Sequence, residues 1–203
     1  MNIDLYTRPQ KPLRISYVEK PEYIKPEKVE IVEPIYVDKA TQCHVTPDEV
    51  ADRMVEYLGP QGDVRTLEPS GGTGALIRAL YRAGHSQFEM VVVERNIQLA
   101  RKLDSEPLYC NTWQMCFLEY AQQAQNQIEI PRVIMNPPFD RVKAHIEAAM
   151  SLMGRNGHQE RPCLVALVPI TYHHPDAETM EELPNTTFST CKVNTKIIRI
   201  YTD

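Results

Sequence analysis

The sequence predicts an α/β fold in which helices cover both faces of a mostly parallel sheet, and three observations support this. Segments typical of helices and of strands alternate from residue 46 onwards, an order that favours parallel strands joined by crossover helices. A glycine-rich turn joins the first strand to the next helix, as in many sheets that bind ligands at their carboxyl edge. The last segments, residues 188–190 and 193–201, predict a hairpin that adds antiparallel strands.

The individual elements follow from the spacing of apolar residues and from the turn residues between them. The first helix is predicted to begin at Thr46-Pro47-Asp48-Glu49, where Thr46 caps it and Glu49 completes a capping box, and to end at Gly59-Pro60. Further helices are expected at residues 75–83, 97–103, 117–127 and 142–153. Strands before the hairpin are expected at residues 64–68, 88–94, 132–135 and 163–168.

Residues 1–40 differ in composition from the rest of the chain. They contain five of the sixteen prolines, separated by charged, β-branched and aromatic residues. Repeated prolines disfavour a long helix and favour extended backbone. We therefore expect a proline-rich extended N-terminal arm over residues 1–40. The remaining residues, 41–203, are enough for one compact domain.

Composition excludes several classes of protein. No apolar run approaches the roughly 20 residues that cross a bilayer, and the N-terminus lacks an apolar signal segment, so we expect a cytoplasmic protein without a membrane partner. None of the five cysteines stands in a Cys-x-x-Cys pair, so neither a metal site nor a disulfide framework is indicated. The net charge of −5 argues against coating nucleic acid through a positive field, although one basic face would suffice to bind it.

The segment Glu68-Pro69-Ser70-Gly71-Gly72-Thr73-Gly74 lies between the first predicted strand and the following helix. Glycines at such a turn let the backbone bend sharply and approach a ligand closely. A nucleoside triphosphate loop would continue with Lys and Ser or Thr, whereas this sequence continues with Ala75-Leu76. The loop is therefore a candidate cofactor site, with the candidate residues Glu68, Pro69, Ser70, Gly71, Gly72 and Gly74.

An acidic residue ends the second strand of the predicted sheet. Glu94 follows Gly74 by twenty residues and comes directly after the buried strand Met90-Val91-Val92-Val93. A carboxylate in this place can accept both hydrogen bonds of a ribose diol. NAD and S-adenosylmethionine both carry such a diol, so the spacing alone does not choose between them.

The segment Asn136-Pro137-Pro138-Phe139 follows a third buried strand, at the edge where open α/β sheets bind their ligands. The side-chain oxygen of Asn136 and the carbonyl of Pro137 can accept hydrogen bonds from the two N–H groups of an aromatic amino group. These hydrogen bonds raise the nucleophilicity of its nitrogen. Two prolines stiffen the loop, so the acceptors stay in place. Phe139 offers a flat face for a flipped-out base. All four are candidate catalytic residues, although Asn-Pro also opens ordinary turns.

Together these motifs resemble those of the N6-adenine DNA methyltransferases. The glycine loop is similar to their cofactor loop, Glu94 to their ribose acid and Asn136-Pro137-Pro138-Phe139 to their catalytic motif. Thr46-Pro47 resembles the Thr-Pro segment that touches the methionine end of the cofactor in that family, and residues 192–200 resemble its last strand. The resemblance covers roughly residues 41–203.

This resemblance implies a Rossmann-like class I methyltransferase fold, with a mostly parallel seven-stranded sheet and a C-terminal antiparallel hairpin. It also implies S-adenosyl-L-methionine as the cofactor and Asn136 as a residue that borders it. Cys116 stands where the family carries an acid that binds the cofactor's adenine, and the amide of Phe117 would still reach that ring. Arg141 and Lys143 follow the catalytic motif and are expected to bind substrate phosphates.

A target-recognition region is the feature of this family for which the chain offers the fewest residues. Only the predicted loops 154–162 and 171–187 and the N-terminal arm are available for it. We therefore expect low specificity, or target recognition supplied by a second copy or a partner subunit.

Four functions remain open at this point. DNA adenine N6 methylation is the first hypothesis, and methylation of an RNA base or a protein glutamine is the second, because Asn-Pro-Pro-aromatic motifs serve those substrates too. The third is a degenerate methyltransferase that binds cofactor or nucleic acid as a regulator, which Cys116 would favour. A Rossmann oxidoreductase comes last, since its chemistry does not explain residues 136–139.

Overall fold

The computed structural model describes residues 45–105, 111–188 and 192–203, and the arm predicted over residues 1–40 lies outside them. Five α-helices occur in these ranges: α1 (Asp48–Leu58), α2 (Ala75–Arg82), α3 (Ile97–Ser105), α4 (Phe117–Ala124) and α5 (Val142–Met150). The strands of the same ranges are β1 (Thr66–Glu68), β2 (Met90–Val93), β3 (Asn111–Trp113), β4 (Arg132–Met135), β5 (Cys163–Pro169), β6 (Ala177–Leu183) and β7 (Thr195–Tyr201). No helix of the described ranges is long and apolar enough to cross a membrane.

The strands of the described residues form one seven-stranded sheet in the order β3-β2-β1-β4-β5-β7-β6. Strands β3, β2, β1, β4 and β5 are parallel to their neighbours in this order. Strand β7 lies between β5 and β6 and is antiparallel to both. The predicted α/β class, the mostly parallel sheet and the antiparallel C-terminal strands are thereby confirmed.

Helices cover both faces of this sheet, and each face has its own apolar core. Because successive side chains of a strand point to opposite faces, alternate residues of β5 contribute to different cores. The core on one face includes α1 and α2, and its β5 residues are Cys163, Val165 and Leu167. The core on the other face includes α4 and α5, and its β5 residues are Leu164, Ala166 and Val168.

The hairpin differs from the prediction in its first strand. The strand that pairs with β7 is β6, at Ala177–Leu183, which the sequence pattern had indicated to be part of a recognition loop. Phe188, predicted to begin that strand, is buried but lies outside any strand, and residues 189–191 lie outside the described ranges. Strand β6 forms the edge of the sheet and exposes much of its length, including Glu178 and Glu182. Edge strands often carry such charges, so the apolar run that identifies a buried strand is missing.

Two further predictions were wrong at the level of single elements. Strand β3, at the opposite edge of the sheet, was not predicted because it is three residues long and largely exposed. Thr46 does not cap α1: Pro47 occupies the N-cap position, and no side chain caps the helix there. The hydroxyl group of Thr46 accepts a hydrogen bond from a distant part of the chain instead, and that long-range contact replaces the local one.

The loop between β1 and α2 crosses the end of β2 at very close range. The amide of Gly71 donates a hydrogen bond to the carbonyl of Val93 at 3.0 Å. A Cβ atom at Gly71 would lie 2.5 Å from a methyl group of Val92 and 2.8 Å from one of Leu103. The next turn depends on left-handed backbone, with φ values of 51° at Gly72 and 82° at Gly74. Glycine is therefore required at Gly71 by packing and at the other two positions by conformation.

We predict that Gly71→Ala lowers the free energy of unfolding by about 1–3 kcal/mol, the usual cost of overpacking. Denaturant titration would measure it. The matched control is Gly157→Asn, because nothing lies within 4 Å of a Cβ at Gly157 and its φ is 83°, a conformation that asparagine tolerates. That change should stay within about 0.5 kcal/mol. Equal losses in the two variants would show that the loop does not pack against β2 as described.

Candidate functional site

A cleft lies at the carboxyl ends of the central strands. Glu68 is the last residue of β1, Glu94 follows β2 and Asn136 follows β4, and all three line the cleft. They meet there because β1 is parallel to both β2 and β4, so the three strands end at the same edge of the sheet. The glycine loop forms one wall of the cleft through Pro69, Ser70, Gly71 and Gly72.

Two buried carboxylates hold this loop. Glu68 is 1% exposed, and its Oε1 atom accepts a hydrogen bond from the amide of Ser70 at 2.9 Å. Glu94 is 6% exposed, and its two oxygens accept hydrogen bonds from the amides of Gly72 at 2.8 Å and Asn96 at 2.6 Å. The acids that the sequence indicated as ligand-binding residues therefore also order the backbone of the loop.

Glu68 has an unusual electrostatic environment for a carboxyl group. Its pKa is raised to about 8, mainly by burial; the hydrogen bond from Ser70 opposes this rise, and the nearby charge of Glu94 contributes to it. Its second oxygen, Oε2, is buried and has no hydrogen-bond partner within the described residues. A buried acceptor of this kind at a ligand cleft suits a cationic or hydrogen-bond-donating group of a ligand.

A hydrogen bond between distant residues orients Asn136. Its side-chain nitrogen Nδ2 donates to the hydroxyl oxygen of Thr46 at 3.0 Å, across 90 positions of sequence. Thr46 is 5% exposed and lines the same cleft, just before α1 begins. This hydrogen bond fixes the orientation of the Asn136 amide, with its nitrogen at Thr46. The other end of the amide is its oxygen, a hydrogen-bond acceptor.

The remaining residues of the proline motif take different positions. Pro138 lines the cleft, and its carbonyl accepts a hydrogen bond from the amide of Arg141 at 3.0 Å. Pro137 is buried beside it, and Phe139 is half-buried against the core that includes α4 and α5. Neither of these two is among the residues that line the cleft in the described structure.

Another part of the cleft lining comes from the start of α4. Cys116 occupies the N-cap position of α4 with a free, half-buried thiol that makes no side-chain cap hydrogen bond. Phe117, the first residue of the helix, is 4% exposed. Both line the cleft together with Leu118, so this end of the cleft is mostly apolar.

The two basic residues predicted to bind phosphate are placed differently. Arg141 is exposed and lines the cleft at the N-cap position of α5. Lys143 points to the exposed side of the helix, where its ammonium group lies 3.7 Å from the carboxylate of Glu147. Gly74, predicted to bind cofactor, is the N-cap residue of α2 and adjoins the lining residues in sequence. A phosphate contact at either basic residue stays a prediction.

Sequence reasoning missed His145, which lines the cleft and is 6% exposed. The signal that could have identified it is its place on α5: with Val142, Ile146 and Ala149 it completes the buried stripe of the helix. A histidine on such a stripe, one turn after a candidate catalytic loop, is close enough to line the cleft.

No protein-family model matches the sequence, and no curated protein matches it closely enough to be informative. Solved structures do resemble it. A type I restriction-modification system methyltransferase subunit from Streptococcus thermophilus is 13% identical, with a TM-score of 0.63, over 79% of this chain and 45% of its own. The 23S rRNA methyltransferase ErmE is 15% identical, with a TM-score of 0.61, over 79% of this chain and 70% of its own. A dimethyladenosine transferase from Plasmodium falciparum is 13% identical, with a TM-score of 0.57, over 78% of this chain and 63% of its own.

Two of these neighbours are methyltransferases and the third is a dimethyladenosine transferase, and the chain spans less than half the length of the Streptococcus subunit. At such low identity the likeness concerns the fold. The described part of the chain has the Rossmann-like fold of class I methyltransferases.

Proposed function

We propose that this chain transfers the methyl group of S-adenosyl-L-methionine to the exocyclic N6 nitrogen of adenine, with DNA as the substrate. The observation that carries the proposal is the position of Asn136-Pro137-Pro138-Phe139. It follows β4 at the edge where Glu68 and Glu94 line the cleft. The motif that fits an aromatic amino group therefore lies at the same cleft as the acids and the glycine loop that fit a nucleoside cofactor.

The residues of the cleft fit this cofactor. S-adenosyl-L-methionine supplies an electrophilic methyl group when bound, and it carries an amino-acid end, a ribose diol and an adenine. The buried Oε2 of Glu68, which has no partner among the described residues, suits the positively charged amino-acid end, and Thr46 lines the same cleft. Glu94, at the end of β2, suits the ribose diol. The apolar wall at Cys116 and Phe117 suits the adenine.

Asn136 would prepare the target nitrogen by electrostatics. An exocyclic amino group is a poor nucleophile because its lone pair is delocalised into the ring. The amide oxygen of Asn136, which lines the cleft, and the carbonyl of Pro137, the next residue in the chain, would accept hydrogen bonds from its two N–H groups and favour a pyramidal nitrogen. Thr46 holds the amide in the required orientation, so these hydrogen bonds would form without rearrangement of the side chain during the reaction. The proton leaves the nitrogen after transfer, and no general base is required.

Low or partner-assisted sequence specificity belongs to the same proposal. Much of the predicted recognition loop 171–187 is strand β6, which pairs with β7, so fewer residues than expected remain as a loop for target recognition. Arg141 at the mouth of the cleft is placed to meet a phosphate, which contributes affinity without sequence information. A second copy or a partner subunit would supply recognition. One structural neighbour is itself a subunit of a restriction-modification system.

The test of the substrate is a methyl-transfer assay with labelled cofactor on four substrates: duplex DNA, single-stranded DNA, RNA and protein extract. We expect label on N6 of adenine in DNA after digestion to nucleosides. Label on RNA or on glutamine would replace the DNA assignment while keeping the enzyme class. Transfer to none of the four, in a chain that binds cofactor, would favour a regulatory protein.

We predict that Asn136→Ala lowers turnover by about 100-fold or more, the effect of losing one preorganised polar contact. Its control is Thr46→Val, which removes the same hydrogen bond but leaves the amide oxygen in the cleft. That variant should lose only about fivefold, equivalent to about 1 kcal/mol for one neutral hydrogen bond. Single-turnover rates and melting temperatures would be compared. Wild-type rates in Asn136→Ala would overturn the mechanism.

We also predict that the affinity for S-adenosyl-L-methionine falls as the pH is lowered from about 8. The raised pKa of Glu68 means that its carboxyl group is protonated below that pH in the free protein. A cation bound beside it favours the ionised form, so binding must release a proton, and Kd should rise by up to about tenfold per pH unit. Calorimetry from pH 6 to pH 8.5 would measure this. Glu68→Gln should bind more weakly at pH 8.5 and show a flat profile, and an unchanged slope in that variant would exclude Glu68 as the source.

A further inference from the structure

His145 is the most deeply buried polar side chain of the cleft to which the proposed mechanism gives no role. It lies on α5, one turn after Arg141, and is 6% exposed. Its ring lies beside that of Phe117, with centroids 5.7 Å apart and planes tilted by 38°. Both side chains line the cleft. The imidazole is therefore part of the aromatic end of the cleft, against the start of α4.

One nitrogen of this ring lacks a protein partner. The Nδ1 atom of His145 is buried, and no group among the described residues forms a hydrogen bond with it. The pKa of His145 is lowered to about 4, mainly by burial and also by the charge of Arg141, while the charge of Asp140 opposes this. The ring is thus neutral near pH 7, and one of its nitrogens is an acceptor. A buried acceptor without a partner is destabilising, and a ligand that donates a hydrogen bond to it would remove that cost.

The chemistry of the cleft restricts what this ligand group can be. The acidic side chains of the cleft, Glu68 and Glu94, lie at the ends of β1 and β2 beside the glycine loop. His145 instead lies beside Phe117, where a neutral, flat and partly apolar group is favoured. Cys116 adds only a thiol at this end, and a thiol is a weak acceptor. A heterocycle that presents an N–H donor at its edge meets all of these conditions.

We propose that His145 selects the nucleobase of the cofactor, with Nδ1 accepting a hydrogen bond from the 6-amino group of its adenine. This assignment rests on the proposed cofactor and adds a specificity-determining residue to its site. The imidazole takes the Nε2–H tautomer for this role. A purine with a 6-oxo group offers an acceptor at the same edge, so it would leave Nδ1 unsatisfied. Discrimination between the two bases is the property that His145 supplies.

The test compares two product analogues, S-adenosylhomocysteine and S-inosylhomocysteine, which differ at position 6 of the purine. Calorimetric titration of the full chain should show that the wild type binds the adenosyl compound about tenfold or more tightly, as expected for one buried hydrogen bond. In His145→Phe, which keeps a ring against Phe117, this ratio should fall to about twofold or less.

His145→Asn is the conservative control, because its amide oxygen offers an acceptor near the position of Nδ1. It should recover a ratio between those of the wild type and His145→Phe. Melting temperatures of all variants would establish that they fold. A merely structural role for His145 predicts that His145→Phe weakens both compounds equally and leaves the ratio unchanged, and that result would overturn the assignment. Wild-type protein that binds neither compound would instead overturn the proposed function.

Discussion

The constraint on which the rest of this structure depends is the parallel alignment of β1 with β2 and β4. Parallel strands end at the same edge of a sheet, so residues that follow different strands come together there. Glu68, Glu94 and Asn136 are separated by tens of positions in sequence, and this alignment alone places them around one cleft. The two cores on the sheet faces stabilise it, because each buries the apolar side chains of alternate strand positions.

The cleft keeps its shape because its polar residues bind one another. Glu68 and Glu94 accept hydrogen bonds from the glycine loop, and Thr46 accepts one from Asn136. These contacts satisfy buried groups that would otherwise be costly. Two buried atoms, Oε2 of Glu68 and Nδ1 of His145, are not satisfied in this way by the described residues. They lie in the same cleft, and the proposed ligand offers a donor for each of them.

Most of the fold and much of the cleft could be predicted because their signals are local. The buried strands β2 and β5 are continuous apolar runs, and helix α5 shows its buried stripe as a spacing of apolar residues. Strands β3 and β6 could not be predicted, because each forms an edge of the sheet and pairs with one neighbour. Edge strands need fewer apolar residues, and β6 is recognisable only from its pairing with β7.

The sequence by itself determined the order of the helices and of the buried strands, the glycine loop and the three polar residues at the ends of β1, β2 and β4, because turn chemistry and apolar periodicity act over short distances. Only the tertiary structure decided what Thr46 and His145 do. The local sequence predicts that Thr46 caps a helix, but its hydroxyl instead accepts a hydrogen bond from Asn136, 90 positions away. Locally, His145 is one more residue of an amphipathic helix, and burial against Phe117 makes it a neutral acceptor within the cleft. Both roles depend on long-range packing, which no short segment encodes.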